Sequence, residues 1–173
     1  ERFRSVFENV TIGLYRTTPD GHILLANATF ARMLGCDSVD ELMQRNKEGD
    51  SVVTDYPRSE FLQLMESQGE VKGFEAYGKR MDGTVIYVRE NAKAVRDSNG
   101  EILYFEGSVE DITERKRAEE ALRASEERYR ELFNSMIDGF ALHEIICDEN
   151  GKPFNYRFLE ANPAFERLTG FQS

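Results

Sequence analysis

The sequence has no tryptophan, two cysteines, two histidines and four prolines in 173 residues, and each shortage excludes something. Cys36 and Cys147 lie far apart without CxxC spacing, so no disulfide framework is encoded and a reducing compartment is expected. The longest apolar runs are a handful of residues, too short to span a bilayer, and no secretory signal pattern opens the chain. The expected location is therefore the cytoplasm. Basic residues are also in short supply. The 22 Lys and Arg face 32 Asp and Glu, a net charge of −10, which argues against a nucleic-acid partner or contact with an anionic membrane.

Catalytic signatures are absent as well: no P-loop, no GxSxG, no HExxH and no GxGxxG. His22 and His143 sit beside turn signals, and His22 reads as a solvated strand residue with no metal to hold. Acidic pairs such as Asp40–Glu41 and Glu126–Glu127 read as solvated helix faces. The chain is expected not to be an enzyme.

What is present is a folded protein's composition, 40% hydrophobic and 11% aromatic, in a chain that nearly repeats itself. "ERFRSVFENV" at 1–10 returns as "ERYRELFNSM" at 127–136, so that Phe3, Val6, Phe7 and Val10 match Tyr129, Leu132, Phe133 and Met136. "ANATFARMLGC" at 26–36 returns as "ANPAFERLTGF" at 161–171. A period of about 130 residues means tandem domains, not a solenoid, and the second copy stops after its first short helix.

Within the first copy, Asp20-Gly21 marks a hairpin between strand-like runs 12–17 and 22–26. Three short helices are then expected. "ATFARMLGC" has Phe30, Met33 and Leu34 at helical spacing. Ser38 followed by Glu41 makes a capping-box start. Ser59 is a candidate cap for a helix carrying Phe61, Leu64 and Met65. From residue 71 the hydrophobic period changes to two, with turns at Met81-Asp82-Gly83 and Asn99-Gly100. Two strands, three helices and three strands predict an α+β domain built on a five-stranded antiparallel sheet.

This ordered set resembles the PAS sensory family. The matching residues are Gly21, Ile23 and Asn27, "ATFARMLGC" with "SVDEL", "GFE…RMDGTVIYVRENAKAVRDSNGEILYFEG", and the Asp111-Ile112-Thr113 triplet. The resemblance implies sheet order 2-1-5-4-3 with helices over one face. It divides the chain into a PAS domain at 1–112, a signalling helix at 113–136 and the start of a second PAS domain at 137–173. It also implies that Asp111, Ile112 and Thr113 end the central strand and start that helix, relaying strain to a downstream output domain such as a histidine kinase of a two-component system or a diguanylate cyclase.

No loop separates the strand from the helix, and physical chemistry supplies the reason: a rod joined directly to a strand transmits its motion, whereas slack absorbs it. Asp111 or Thr113 can cap the first free amides, and Glu114 suits the positive helix end. Ala118, Leu122, Ser125, Tyr129, Leu132 and Met136 follow a heptad, a candidate dimer seam for a homodimeric coiled coil. A helix lying on its own domain is the alternative. The incomplete second copy cannot cover its own apolar side, so packing on a second chain or docking on the first domain is expected.

An apolar pocket between sheet and helices would be walled by Leu14, Leu25, Phe30, Leu34, Phe61, Met65, Phe74 and Tyr87, unless these simply form core. Glu90 and Asn91 are candidate orienting groups, with solvent as the alternative destination for Glu90. The Asn-Cys-Arg-Phe-Leu motif of light-sensing relatives is absent, and residues 58–72 hold no histidine. A flavin photoadduct and haem are therefore not expected, and the cofactor, if there is one, stays open. The functional expectation is a sensory signal-transduction module that senses a small molecule or mediates dimerisation; a ligand-free interaction scaffold is the alternative.

Overall fold

The computed structural model describes residues 2–48, 53–80 and 82–170, the side chains of residues 2–4 and 53 excepted; Met81, Phe171 and the side chain of Phe3 thus lie outside the described residues. The chain forms two units, Glu1–Arg117 and Ala118–Ser173, and the division falls inside one helix.

In the first unit, helix α1 (Arg2–Asn9) precedes the hairpin β1 (Gly13–Thr17) and β2 (Ile23–Ala26). Helices α2 (Ala28–Met33), α3 (Val39–Lys47) and α4 (Arg58–Gln68) follow, with the two-residue strand β3 (Val53–Thr54) before α4. The long meander β4 (Glu70–Arg80), β5 (Val85–Arg96) and β6 (Ile102–Asp111) completes an antiparallel sheet in the order β2-β1-β6-β5-β4-β3. This is the expected five-stranded order, 2-1-5-4-3, with the short β3 added at one edge. The last strand of the first unit, β6, lies in the middle of the sheet because β1 pairs with it from Gly13↔Val109 to Thr17↔Phe105.

Side-chain alternation sets what each face does. On β5, Ile86, Val88, Glu90, Ala92 and Ala94 are buried, while Arg89, Asn91 and Lys93 turn away. On β1 the inner set is Gly13, Tyr15 and Thr17. The helices cover this inner face through Phe30, Met33, Leu42, Phe61 and Met65, all buried. Helix α3 starts as expected: Ser38 accepts from Glu41 N at 3.1 Å while Glu41 accepts from Asp37 N at 2.8 Å. Helix α4 does not: Pro57 is its N-cap and no side chain caps it, so Ser59 lies inside the first turn.

The second unit repeats the opening of the first atom for atom where it matters. Strands β7 (Ala141–Cys147) and β8 (Pro153–Ala161) form a hairpin, followed by α6 (Pro163–Thr169). Asn162 caps α6 as Asn27 caps α2, through Phe165 N and Phe30 N respectively, both at 2.9 Å. Gly13 and Gly139 also correspond. A Cβ at Gly13 would come within 3.0–3.2 Å of Phe30 and Met33, and one at Gly139 within 3.0–3.3 Å of Phe165 and Leu168. In both copies the helix packs so closely on this glycine that a Cβ there would force its neighbours to give by a few tenths of an ångström. The hairpin leaves Ile145, Phe154, Tyr156 and Leu159 more than half exposed. Between the domains, α5 (Thr113–Ser135) is continuous for 23 residues. Among the described residues no helix is long and apolar enough to cross a membrane.

Candidate functional site

A cavity of about 450 Å³ opens between the inner sheet face and the helices of the first unit. Its walls are largely apolar, from Phe30, Leu34, Ile86, Val88 and Val109, with Asp20, Gly21, His22 and Asn46 also in its lining. At its floor lies one ionisable group. Glu90, 6% exposed, accepts from the Tyr15 hydroxyl on one carboxylate oxygen and from the Tyr56 hydroxyl on the other. Tyr15 comes from β1 and stacks on Phe30 with ring centroids 5.2 Å apart. Tyr56 precedes α4 and belongs to an aromatic cluster with Phe61 and Phe74, at 6.4 Å from each.

Two further polar side chains face this space. Thr17 is 7% exposed and lines it too, while its hydroxyl oxygen is buried without a hydrogen-bond partner. Arg58 lies over the rings of Phe61 and Phe105, at 5.3 and 5.9 Å, and donates to Pro19 O at 3.2 Å. Buried polar groups are ordinarily paired, and among the described residues this hydroxyl and Arg16 Nε have no partner.

Burial pushes the Glu90 carboxyl above the usual carboxylate range; the two tyrosine hydrogen bonds and the Arg58 charge pull it down without cancelling the rise. Tyr15 and Tyr56 are both raised, by burial first and the Glu90 charge second, so they remain protonated donors. A carboxyl raised on folding holds its proton more tightly in the native state. Its stabilising contribution is complete below the unfolded glutamate pKa and is lost as pH rises through the native value. Glu90→Gln should therefore flatten the decline in unfolding free energy from about pH 4.3 upwards. Urea titrations of both proteins across pH check this; parallel curves would refute the burial effect.

Of the residues expected at the pocket, Phe30, Leu34 and Glu90 line the cavity. Phe61 and Met65 lie behind it, fully buried in the core, and Phe74 is half-buried against Phe61 at 6.1 Å. Four others belong elsewhere. Leu14, Leu25 and Asn91 line a groove with Phe7 and Lys93, on the face opposite the inner set. Tyr87 is half-buried against Tyr77, with ring centroids 6.2 Å apart. The physical reason is the pleat: Leu14 adjoins inward Tyr15, Tyr87 lies between inward Ile86 and Val88, and Asn91 follows inward Glu90. Leu25 pairs with Arg16, an outward position, and is 43% exposed. Asn91 instead accepts from Gly73 N at 2.8 Å.

Tyr15, Thr17, Tyr56 and Arg58 were not anticipated. Alternation along Gly13-Leu14-Tyr15-Arg16-Thr17 carries a signal for the first two. Tyr56 and Arg58 come from a loop and a helix start without periodicity, and nothing in the sequence places them over Glu90.

The exit from the sheet is held at several points. Asp111 accepts from Thr113 N at 2.9 Å, while the Thr113 hydroxyl accepts from Tyr87 N at 2.9 Å. Ile112 is buried and its N–H reaches Tyr87 O at 2.9 Å. Asp111 thus does the capping, and Thr113 staples the helix start to β5. Arg80 spans from Met33 O, at 2.6 Å, to Asp111, at 3.4 Å. Arg115 and Lys116 both reach Glu75 on β4, each at 2.6 Å, and hold its carboxyl below the usual range. Of the expected seam, Ala118, Leu122, Ser125, Tyr129 and Leu132 are exposed on α5, and Met136 follows its last residue, also exposed. Phe133, off the seam, is buried between Tyr129 and Phe140.

Comparison with known proteins bears on this architecture. A family model described as PAS fold matches residues 1–123, and one described as PAS domain matches 127–173. The C4-dicarboxylate transport sensor protein DctS of Rhodobacter capsulatus is 29% identical over 127 residues, 72% of this chain and 19% of that protein. Sporulation kinase E of Bacillus subtilis is 26% identical over 183 residues, 98% and 21% respectively. A methyl sulfide methyltransferase-associated sensor of Methanosarcina acetivorans is 33% identical over 148 residues, 83% and 14%. The chain thus spans between 14% and 21% of these relatives' lengths. Among solved structures, a PAS domain from Colwellia psychrerythraea has a TM-score of 0.53 at 19% identity, covering 65% of this chain and 96% of that one. A sensory box histidine kinase/response regulator from Burkholderia thailandensis has 0.53 at 22%, covering 76% and 99%. At these identities the structural likeness speaks for the fold alone.

Proposed function

This chain belongs to the PAS fold family, and from that premise we propose that it is a sensory signal-transduction module whose first domain binds a small molecule in the inner cavity and relays occupancy through α5. The observation that carries the reading is the cavity floor: a buried carboxylate held by two tyrosines. A carboxylate taken out of water is costly in an empty core. A ligand that bonds to it offsets that cost.

The relay has a physical route. Glu90 lies opposite Val109 on β6, and β6 runs into the Asp111-Ile112-Thr113 staple without slack. A ligand that moves Glu90 strains the strand pair that launches α5. The module itself relays and does not catalyse. The sensor and kinase names of the relatives favour a histidine kinase as the output of the whole protein; a diguanylate cyclase is the alternative output.

A ligand-free dimerisation scaffold is the second reading, favoured by the exposed heptad face of Leu122, Tyr129 and Leu132. Native mass spectrometry of the freshly purified chain separates the two. The expected result is a dimer with excess mass that disappears on denaturation. A dimer of bare chains would support the scaffold, and a bare monomer at high micromolar concentration would remove the coiled coil.

A further inference from the structure

The cavity floor has an uneven hydrogen-bonding inventory. The tyrosine hydroxyls spend their protons on Glu90, so Tyr15, Tyr56 and Glu90 all present lone pairs to the cavity and no donor. Asn46 accepts from Ile23 N at 2.8 Å and donates to Gly21 O at 3.2 Å. Around the Glu90 carboxylate itself, what fits is a group that donates hydrogen bonds.

Charge points the same way. Two carboxylates, Asp20 and Glu90, line the cavity with one guanidinium, Arg58, and Asp20 is paired with His22 at 2.8 Å. Arg58 is drawn to Pro19 O and the rings of Phe61 and Phe105, and among the described residues no cation forms an ion pair with Glu90. The rings of Tyr15, Phe30 and Tyr56 line the same space, an environment that favours a cation over a neutral dipole. Beyond them the walls are hydrocarbon: Leu34, Ile86, Val88 and Val109. A volume of about 450 Å³ accommodates a small molecule with an apolar body.

Resting on the reading of the cavity as a ligand site, we propose that its ligand class is the small primary amine, bound as its ammonium ion. The N–H donors are directed at the Glu90 carboxylate and the Tyr15 and Tyr56 oxygens around it, and the apolar body lies against Ile86, Val88 and Val109. A neutral alcohol would bring no positive charge to Glu90, and a carboxylate would face it with a like charge. Glu90 must be ionised to hold the ammonium. Because burial raises its pKa, amine affinity falls as pH drops through that range. The groups facing Glu90 do not alter this direction: Tyr15 and Tyr56 stay protonated and Arg58 stays charged.

The test is calorimetry on the whole 173-residue chain with three probes of similar size: phenethylamine, phenethyl alcohol and phenylpropionate. Phenethylamine is expected to bind at least about tenfold more tightly than the alcohol, as a charge-assisted hydrogen bond allows. Glu90→Gln should erase that preference while leaving alcohol binding in place. If the alcohol or the acid binds as tightly as the amine, or if Glu90→Gln leaves the amine unaffected, the ammonium assignment is wrong and the ligand site stands. If no probe binds and the native mass carries no retained molecule, the ligand site falls and the assignment with it.

Discussion

Asn27→Ala is expected to lower the unfolding free energy of the first domain by about 3–5 kcal/mol. The side chain is fully buried and every bonding position of its amide is used. Its oxygen accepts from Leu14 N and Phe30 N, both at 2.9 Å, and its nitrogen donates to Phe7 O and Ile12 O, both at 3.0 Å. One residue thereby caps α2, ties that helix to β1 and holds the end of α1. Alanine strands four backbone groups where water cannot easily reach them. Asn27→Asp separates the roles: it keeps the acceptor that caps the helix but faces two carbonyls with no donor. A loss in Asp close to that in Ala would assign most of the energy to the donor side. Chemical denaturation measures both, and an unchanged midpoint in the alanine variant would overturn the account. Asn162, which accepts from Phe140 N at 2.8 Å and donates to Asp138 O at 2.9 Å, should be equally intolerant in the second unit.

Gly107→Val should be comparably severe, roughly 3 kcal/mol or more, and should also disturb the cavity. Gly107 lies on the central strand β6 between Tyr15 and Ala92. A Cβ there would stand 2.4 Å from the carbonyl oxygen of Asn91 and 3.0 Å from the Tyr15 hydroxyl. The first contact is with the backbone of a paired strand, which cannot move aside without breaking the ladder. The second is with the group that reaches across β6 to Glu90. The absence of a side chain is what lets Tyr15 make that crossing. Gly107→Ala should show the same defects, smaller in size. The stability of both variants, read by urea denaturation, is the check, together with loss of any retained ligand mass. Wild-type stability in Gly107→Val would refute the close-packing argument.

The cavity was only partly legible in the residues. Lys93 between Ala92 and Ala94 announces which parity of β5 is buried, and counting back two places Glu90 inside. The upstream run Val85-Ile86-Tyr87-Val88 is apolar at every position, so it hides that parity, which is how Tyr87 came to be expected on the wrong face. Asn27 was visible as part of the family pattern, but its four bonds were not, because its partners Phe7, Ile12 and Leu14 are brought together only by the turn of the chain. The α5 charges show the same limit. Spacing along a helix suggests partners within the helix, yet Lys116 pairs with Glu75 across the fold.

The tandem repeat, the strand and helix order, the antiparallel sheet with its turns, and the unbroken passage from strand into helix are all legible in the residues alone. These follow from local periodicity and turn chemistry, which act over a few residues and survive without knowledge of the rest. Tertiary structure decided which strand face is inner, that Tyr15, Tyr56 and Arg58 converge on Glu90, and that Thr17 is left without a partner. Those facts depend on residues up to 75 positions apart, such as Tyr15 and Glu90, and such proximity exists only once β6 has inserted beside β1.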